Sequence, residues 1–147
     1  MRTLWNPTDR AELLRRFASL TDDHAGRWGR MTPAQMVRHI AYALRMATGE
    51  RPVPLRNSPL KYFPLKQLVL YVFPFPRGAP TAPELVVKDS LRVAEERPAL
   101  EAAVEAFLAR DPAGAWPGHP VFGTMSGEAW GALAWKHADH HLQQFGC

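Results

Sequence analysis

The sequence predicts an all-α domain, four helices packed as a bundle with a long crossover after the second and a short extra apolar segment. Three observations lead there. Apolar residues recur at helical spacing in four separate stretches, each with its own start and stop signals. No stretch shows the convincing apolar–polar alternation of a half-buried strand. Between the second and third stretches lies a proline-rich run too long for a hairpin, which suits a bundle not joined throughout by tight turns. At 147 residues the chain has the length of one domain, taken as residues 1–147.

The first helix is expected over Pro7 to Leu20. Asn6 or Thr8 can cap it, Leu13, Leu14, Phe17 and Leu20 share a face, and Arg10, Glu12, Arg15 and Arg16 take the other side. A link with Gly26 and Gly29 as breakers follows, in which His24 is expected to be solvated. Thr32-Pro33-Ala34-Gln35 then reads as a capping box with proline at the first helical position. That second helix should run to Thr48, with Gly49 ending it.

Residues 50–92 are irregular. Six prolines fall between Pro52 and Pro76, and Pro80 and Pro83 follow. Within them Lys66–Phe73, KQLVLYVF, is apolar on all sides. Periodicity alone permits a short helix or a strand; a short helix from Pro64, packed against the bundle or a partner subunit, is the expectation. The third long helix should span Glu96–Arg110 with Pro98 in its first turn. Ser126 should cap the last, which reaches to Gly146, with Glu128 favouring its N-terminal dipole.

Composition narrows the function classes. Hydrophobic residues make up 46% and charged residues 22%, ordinary values for a globular domain. No apolar run reaches the roughly 18 residues that span a bilayer, and the N-terminus lacks an apolar signal core. A cytoplasmic protein without a membrane partner is therefore expected. The one cysteine, Cys147, forms no internal disulfide and is expected as a frayed, solvated thiol. The net charge of +4 is spread over scattered basic residues. That argues against nucleic acid and allows a mild preference for small anionic molecules.

The histidines carry the chemistry. His137 and His141 stand four residues apart, so at about 100° per residue both rings lie on one helix face, one turn apart. Trp130, Leu133 and Ala134 lie within roughly 60° of His137 on the same count, so both rings should point inward. On the second helix His39 shares a side with Met36, Ala43, Met46 and Ala47 and faces inward too. In a bundle the three imidazoles can converge, and imidazole nitrogen suits Zn²⁺, Ni²⁺ or Fe²⁺. Three protein ligands leave coordination positions open, as in a catalytic site.

Ala138 stands where a zincin would have its glutamate, and paired Glu-x-x-His units are absent. His140 is expected beside the site, as a flanking group or a replacement ligand. Gln35 and Gln144 could orient a ring or a bound water. Tyr42 could donate to an anionic ligand, and Met36, Met46 and Trp130 could line the pocket. Asp139 points away and is expected to be solvated. No carboxylate can be placed beside the histidines, so no general base is assigned.

The segments TPAQMVRHI and KHADHHLQQFG, with Trp28, Gly29 and Met31 before the first, resemble the DinB-like superfamily of metal-binding bundles, which includes the YfiT-type proteins. FPRGAPTAPEL and HPVFGTMSGEAWGALAWKH extend the likeness over nearly the whole chain. It implies an up-down-down-up bundle, often dimeric, with a divalent metal on His39, His137 and His141. Zn²⁺ or Ni²⁺ come first as occupants, Fe²⁺ or Mn²⁺ next. It further implies a thiol S-transferase or isomerase acting with a low-molecular-weight thiol on a small-molecule substrate. Metal-activated water would make the same site a hydrolase; a non-catalytic small-molecule-binding or stress-response bundle is the reading from another class. Relatives usually carry Arg-Gly-Gln after the last histidine, whereas this chain has Leu142-Gln143-Gln144.

Overall fold

The computed structural model describes residues 1–89 and 91–147. Five α-helices and no strand occur among them: α1 (Pro7–Ser19), α2 (Pro33–Thr48), α3 (Leu65–Gln67), α4 (Val93–Leu108) and α5 (Gly127–Gln144). The expected all-α class holds, and four of the five helices are the long ones anticipated.

Their boundaries have local causes. Asn6 caps α1 by accepting from the Thr8 and Asp9 amides at 2.9 and 3.2 Å. α2 opens with both halves of the Thr32–Gln35 capping box and closes on Gly49, whose φ of 86° is left-handed and suits glycine. Ser126 caps α5 through the Ala129 amide at 3.2 Å. The start of α4 differs from expectation. It begins at Val93, so Pro98 lies inside the helix and not in its first turn. The side chain that satisfies the Val93 amide is Asp22, at 2.9 Å and far away in sequence.

α2 is the central element. It packs against α4 and α5, while α1 packs against α5. Met36, Val37, Phe107, Leu142 and Leu20 are almost fully enclosed in one continuous core. A part-buried ion pair joins α2 to α4 at its edge: Glu96 on α4 takes both ends of the Arg38 guanidinium at 2.8 Å. Glu96 is only 5% exposed, so the bidentate partner is what makes a carboxylate tolerable there. At the other end Trp5 lies so close to Gly131 that a Cβ there would stand 2.3 Å from the indole.

The crossover holds the expected short helix after Pro64, packed on α5, but leaves most of it exposed. α3 is a single turn that runs into a π-helical turn, Leu68–Val72, of which only Leu70 is buried. Tyr71, Val72 and Phe73 are exposed. Further on, a 3₁₀ turn at Pro83–Leu85 buries Leu85. Cys147 is likewise not frayed. Its amide donates to the Leu142 carbonyl at 3.0 Å, its own carbonyl accepts from Arg16 at 3.0 Å, and its side chain packs on the core.

Candidate metal centre

The three inward histidines meet. His39 from α2 and His137 and His141 from α5 each bring a ring nitrogen to within 4.8 Å of the others, the one such cluster among the described residues. His39 Nε2 and His137 Nε2 are 3.1 Å apart. Ring centroids lie 5.0 Å apart for His39 with either partner and 4.9 Å for His137 with His141.

Two of the rings are held from behind. His39 Nδ1 lies 3.0 Å from the Leu85 carbonyl, which can only accept, so the proton sits on Nδ1. The APTAPEL stretch of the crossover thus turns a backbone oxygen onto the site. His141 Nδ1 lies 2.8 Å from Gln144 Oε1. The Gln144 amide is oriented by its other end, which donates to the Trp28 carbonyl at 2.6 Å. His141 therefore also carries its proton on Nδ1. Gly29 is left-handed at φ 77°, and a Cβ there would come within 2.6 Å of Gln144 Nε2. Glycine after Trp28 is what lets the amide reach its place, and the Arg27 amide seals the turn onto the Gln144 carbonyl at 2.7 Å.

With both Nδ1 atoms protonated, the Nε2 lone pairs of His39 and His141 face inward. Burial keeps the rings neutral. It lowers His39 against the opposing Leu85 hydrogen bond, and takes His141 down to about 4 despite Gln144. His137 lies well below the ordinary range, through burial first and the neighbouring imidazoles next. Neutral imidazole is the state that binds metal.

Two of the three donors already stand at the spacing a divalent cation uses. With nitrogen–metal bonds of about 2.0–2.1 Å, two imidazole nitrogens stand about 3.0 Å apart on adjacent octahedral positions and about 3.4 Å apart on a tetrahedron. The His39–His137 spacing of 3.1 Å falls in that interval. The two supporting acceptors, a carbonyl and an amide oxygen, are of the kind that orients metal-bound histidines.

The remaining predicted residues divide. Gln144 is a support for His141, as expected. His140 flanks the cluster: its ring lies 5.2 Å from His141, 5.5 Å from Trp28 and 6.0 Å from Phe75. Burial lowers it, Asp139 opposes and Arg77 adds to the lowering. Gln35 is spent on the capping box and on the Asp89 carbonyl at 3.1 Å. Tyr42 is covered by the Arg51 guanidinium at 3.9 Å. Met36 and Met46 are core residues. Trp130 donates to the Pro117 carbonyl at 2.9 Å and packs on His119. Asp139 is not free in solvent but pairs with Arg16 at 2.7 Å, joining α5 to α1.

Two neighbours had no signal in the sequence. Phe75 packs edge-on against His137 at 6.1 Å. His119 is enclosed in a tight loop where the Val121 and Phe122 amides donate to its Nδ1 at 3.1 and 3.2 Å. Burial, with Lys66 adding, takes it to about 4. An isolated histidine in HPVFG looks like any loop residue, and only the fold brings it near His137.

No curated protein and no solved structure matches the chain. Residues 6–146 match the family described as protein of unknown function (DUF1569), a span that includes all three clustered histidines and both of their supports. The chain is a member of the DUF1569 family.

Proposed function

We propose that the protein is a metal-dependent enzyme of the DinB-like kind, an up-down-down-up bundle in which His39, His137 and His141 hold a divalent cation that activates a low-molecular-weight thiol. The observation that carries this reading is the facing pair of ring nitrogens at 3.1 Å, with His39 locked as an Nδ1 donor. Two unshielded lone pairs at that distance repel, so the arrangement calls for a proton or a cation between them. Zn²⁺ or Ni²⁺ suits three imidazoles, and Fe²⁺ or Mn²⁺ follow.

When bound, the dication would lower the pKa of a thiol or water that it holds. The chain's own residues orient and enclose. Leu85 and Gln144 fix two rings, and Phe75 covers His137. The metal-capable cluster contains no carboxylate. Coordination alone deprotonates a thiol, whereas hydrolysis by activated water gains from a positioned base. That difference favours thiol transfer over the hydrolase reading.

The test starts with metal content. Protein purified without chelator should hold one equivalent of metal, and His39→Ala should not. With metal loaded, conjugation of 1-chloro-2,4-dinitrobenzene to a panel of small thiols should exceed ester hydrolysis. Ester hydrolysis without conjugation would move the assignment to a hydrolase. Absence of stoichiometric metal, with His39→Ala unchanged in uptake, would leave a non-catalytic binding bundle.

A further inference from the structure

Exposed apolar side chains are concentrated in one part of this protein. Of nine large ones, seven fall between Leu55 and Phe73, led by Phe63 at 82% exposed, with Leu55 at 67%, Val72 at 64% and Tyr62 at 61%. The same stretch carries charge of one sign. Residues 55–73 contain Arg56, Lys61 and Lys66 and no Asp or Glu, and Arg51 and Arg77 flank them. The first carboxylate beyond them, Glu84, offsets only Arg56, at 3.3 Å. The 3₁₀ turn Pro59–Lys61 and the π-helical turn Leu68–Val72 both pack against α3, so this is one local unit.

We propose that residues 55–73 are an interfacial docking surface for a bilayer of anionic phospholipid. Large exposed apolar clusters mark interaction surfaces, and the charge pattern selects the occupant. A second copy docked about a two-fold axis would set this acid-free, cationic face against itself. Nucleic acid would engage the cations and rings but not aliphatic Leu55, Leu65 and Val72. A lipid interface uses all three kinds of group. Aliphatic chains enter the acyl boundary, aromatic rings sit at headgroup depth, and Lys and Arg reach the phosphates.

No described helix is long and apolar enough to cross a membrane. The contact proposed is a peripheral one, and it differs from the composition-based expectation of no membrane partner. A cleft of about 380 Å³ borders this surface, lined in part by Tyr71, Phe73, Phe75 and His140.

Flotation with vesicles tests the assignment independently of any metal. The full chain should float with equimolar phosphatidylcholine and phosphatidylglycerol, stay behind with phosphatidylcholine alone, and be released by molar salt. Lys61→Ala should weaken partitioning about fivefold; Lys66 is left in place because its ammonium donates to the Thr124 carbonyl. Phe63→Ser combined with Phe73→Ser should weaken it tenfold or more. Both positions are exposed, so the thermal midpoint should hold and serve as the folding control. Equal binding to neutral vesicles, no binding to anionic ones, or indifference to the double serine variant would overturn the proposal. So would a stable dimer in light scattering that the same variant dissociates.

Discussion

α2 buries ten of its sixteen residues, whereas the stretch from Leu65 to Val72, no less apolar, buries only Leu70. α2 reaches this state because both ends are capped and two other helices pack on it. The crossover is cut by prolines into turns too short to present a continuous stripe, so its side chains splay outward. Apolar content alone therefore does not say where a segment lies; continuity of the helix does. The same contrast separates two kinds of role. The packed helices hold the histidines, while the crossover offers them one backbone carbonyl and the Phe75 ring and leaves most of its apolar side chains between Leu55 and Phe73 outside.

The largest test of this division is at the centre itself. His39→Ala should reduce Zn²⁺ affinity, measured by competition with a chelator, well beyond the ten- to hundredfold typical of a supporting group. Next comes the core that aims it: Leu100→Ala, at a site 2% exposed, should cost about 2–5 kcal/mol in urea unfolding.

Acid acts on the centre by a similar amount. Histidine in the unfolded chain titrates near 6.5, while His119 and His141 in the fold titrate near 4, so the unfolded chain takes up protons first. Stability of the metal-free protein should be full above about pH 6.5 and decline as pH falls; the share from these two is complete near pH 4, and His137, lower still, carries the decline further. The loss is about 3 kcal/mol for each of the two. Urea titrations in chelator across that range check it, and a flat profile would contradict the burial of these rings.

Gln144→Ala should cost ten- to hundredfold in metal affinity, less than loss of a ligand, because it frees the His141 ring without removing it. Phe63→Ser marks the other extreme. At 82% exposed it should change unfolding free energy by less than about 0.5 kcal/mol. A larger loss would mean that the crossover is packed after all.

What was legible in the sequence follows the same line. The α2 capping box, the α5 cap and the inward faces of the three clustered histidines could be read because each rests on side chains at fixed local spacing. The start of α4 could not, since its cap is Asp22, brought in by the fold. The sequence pointed to Gln144, three residues beyond His141, but not to the Leu85 and Trp28 carbonyls, because backbone acceptors have no residue signature. His119 and Phe75 were hidden for a related reason: their nearness to His137 is made by loops. Asp139 and Cys147 were misjudged as solvated because Arg16 arrives from α1, a partner that helical counting within α5 cannot supply.

The two carbonyl supports have a consequence for how the chain responds to loading. Each comes from a loop, Leu85 from the crossover and Trp28 from the turn before α2; Leu85 reaches the His39 ring directly, and Trp28 reaches the His141 ring only through the Gln144 amide. Occupancy would therefore staple both loops to the helices, and its free energy would appear as suppressed local opening far from the ligands. Amide hydrogen exchange should slow at Arg27, whose amide bonds the Gln144 carbonyl, and at Leu85, whose amide bonds the Ala82 carbonyl. Exchange within the well-packed interior of α2 should scarcely change.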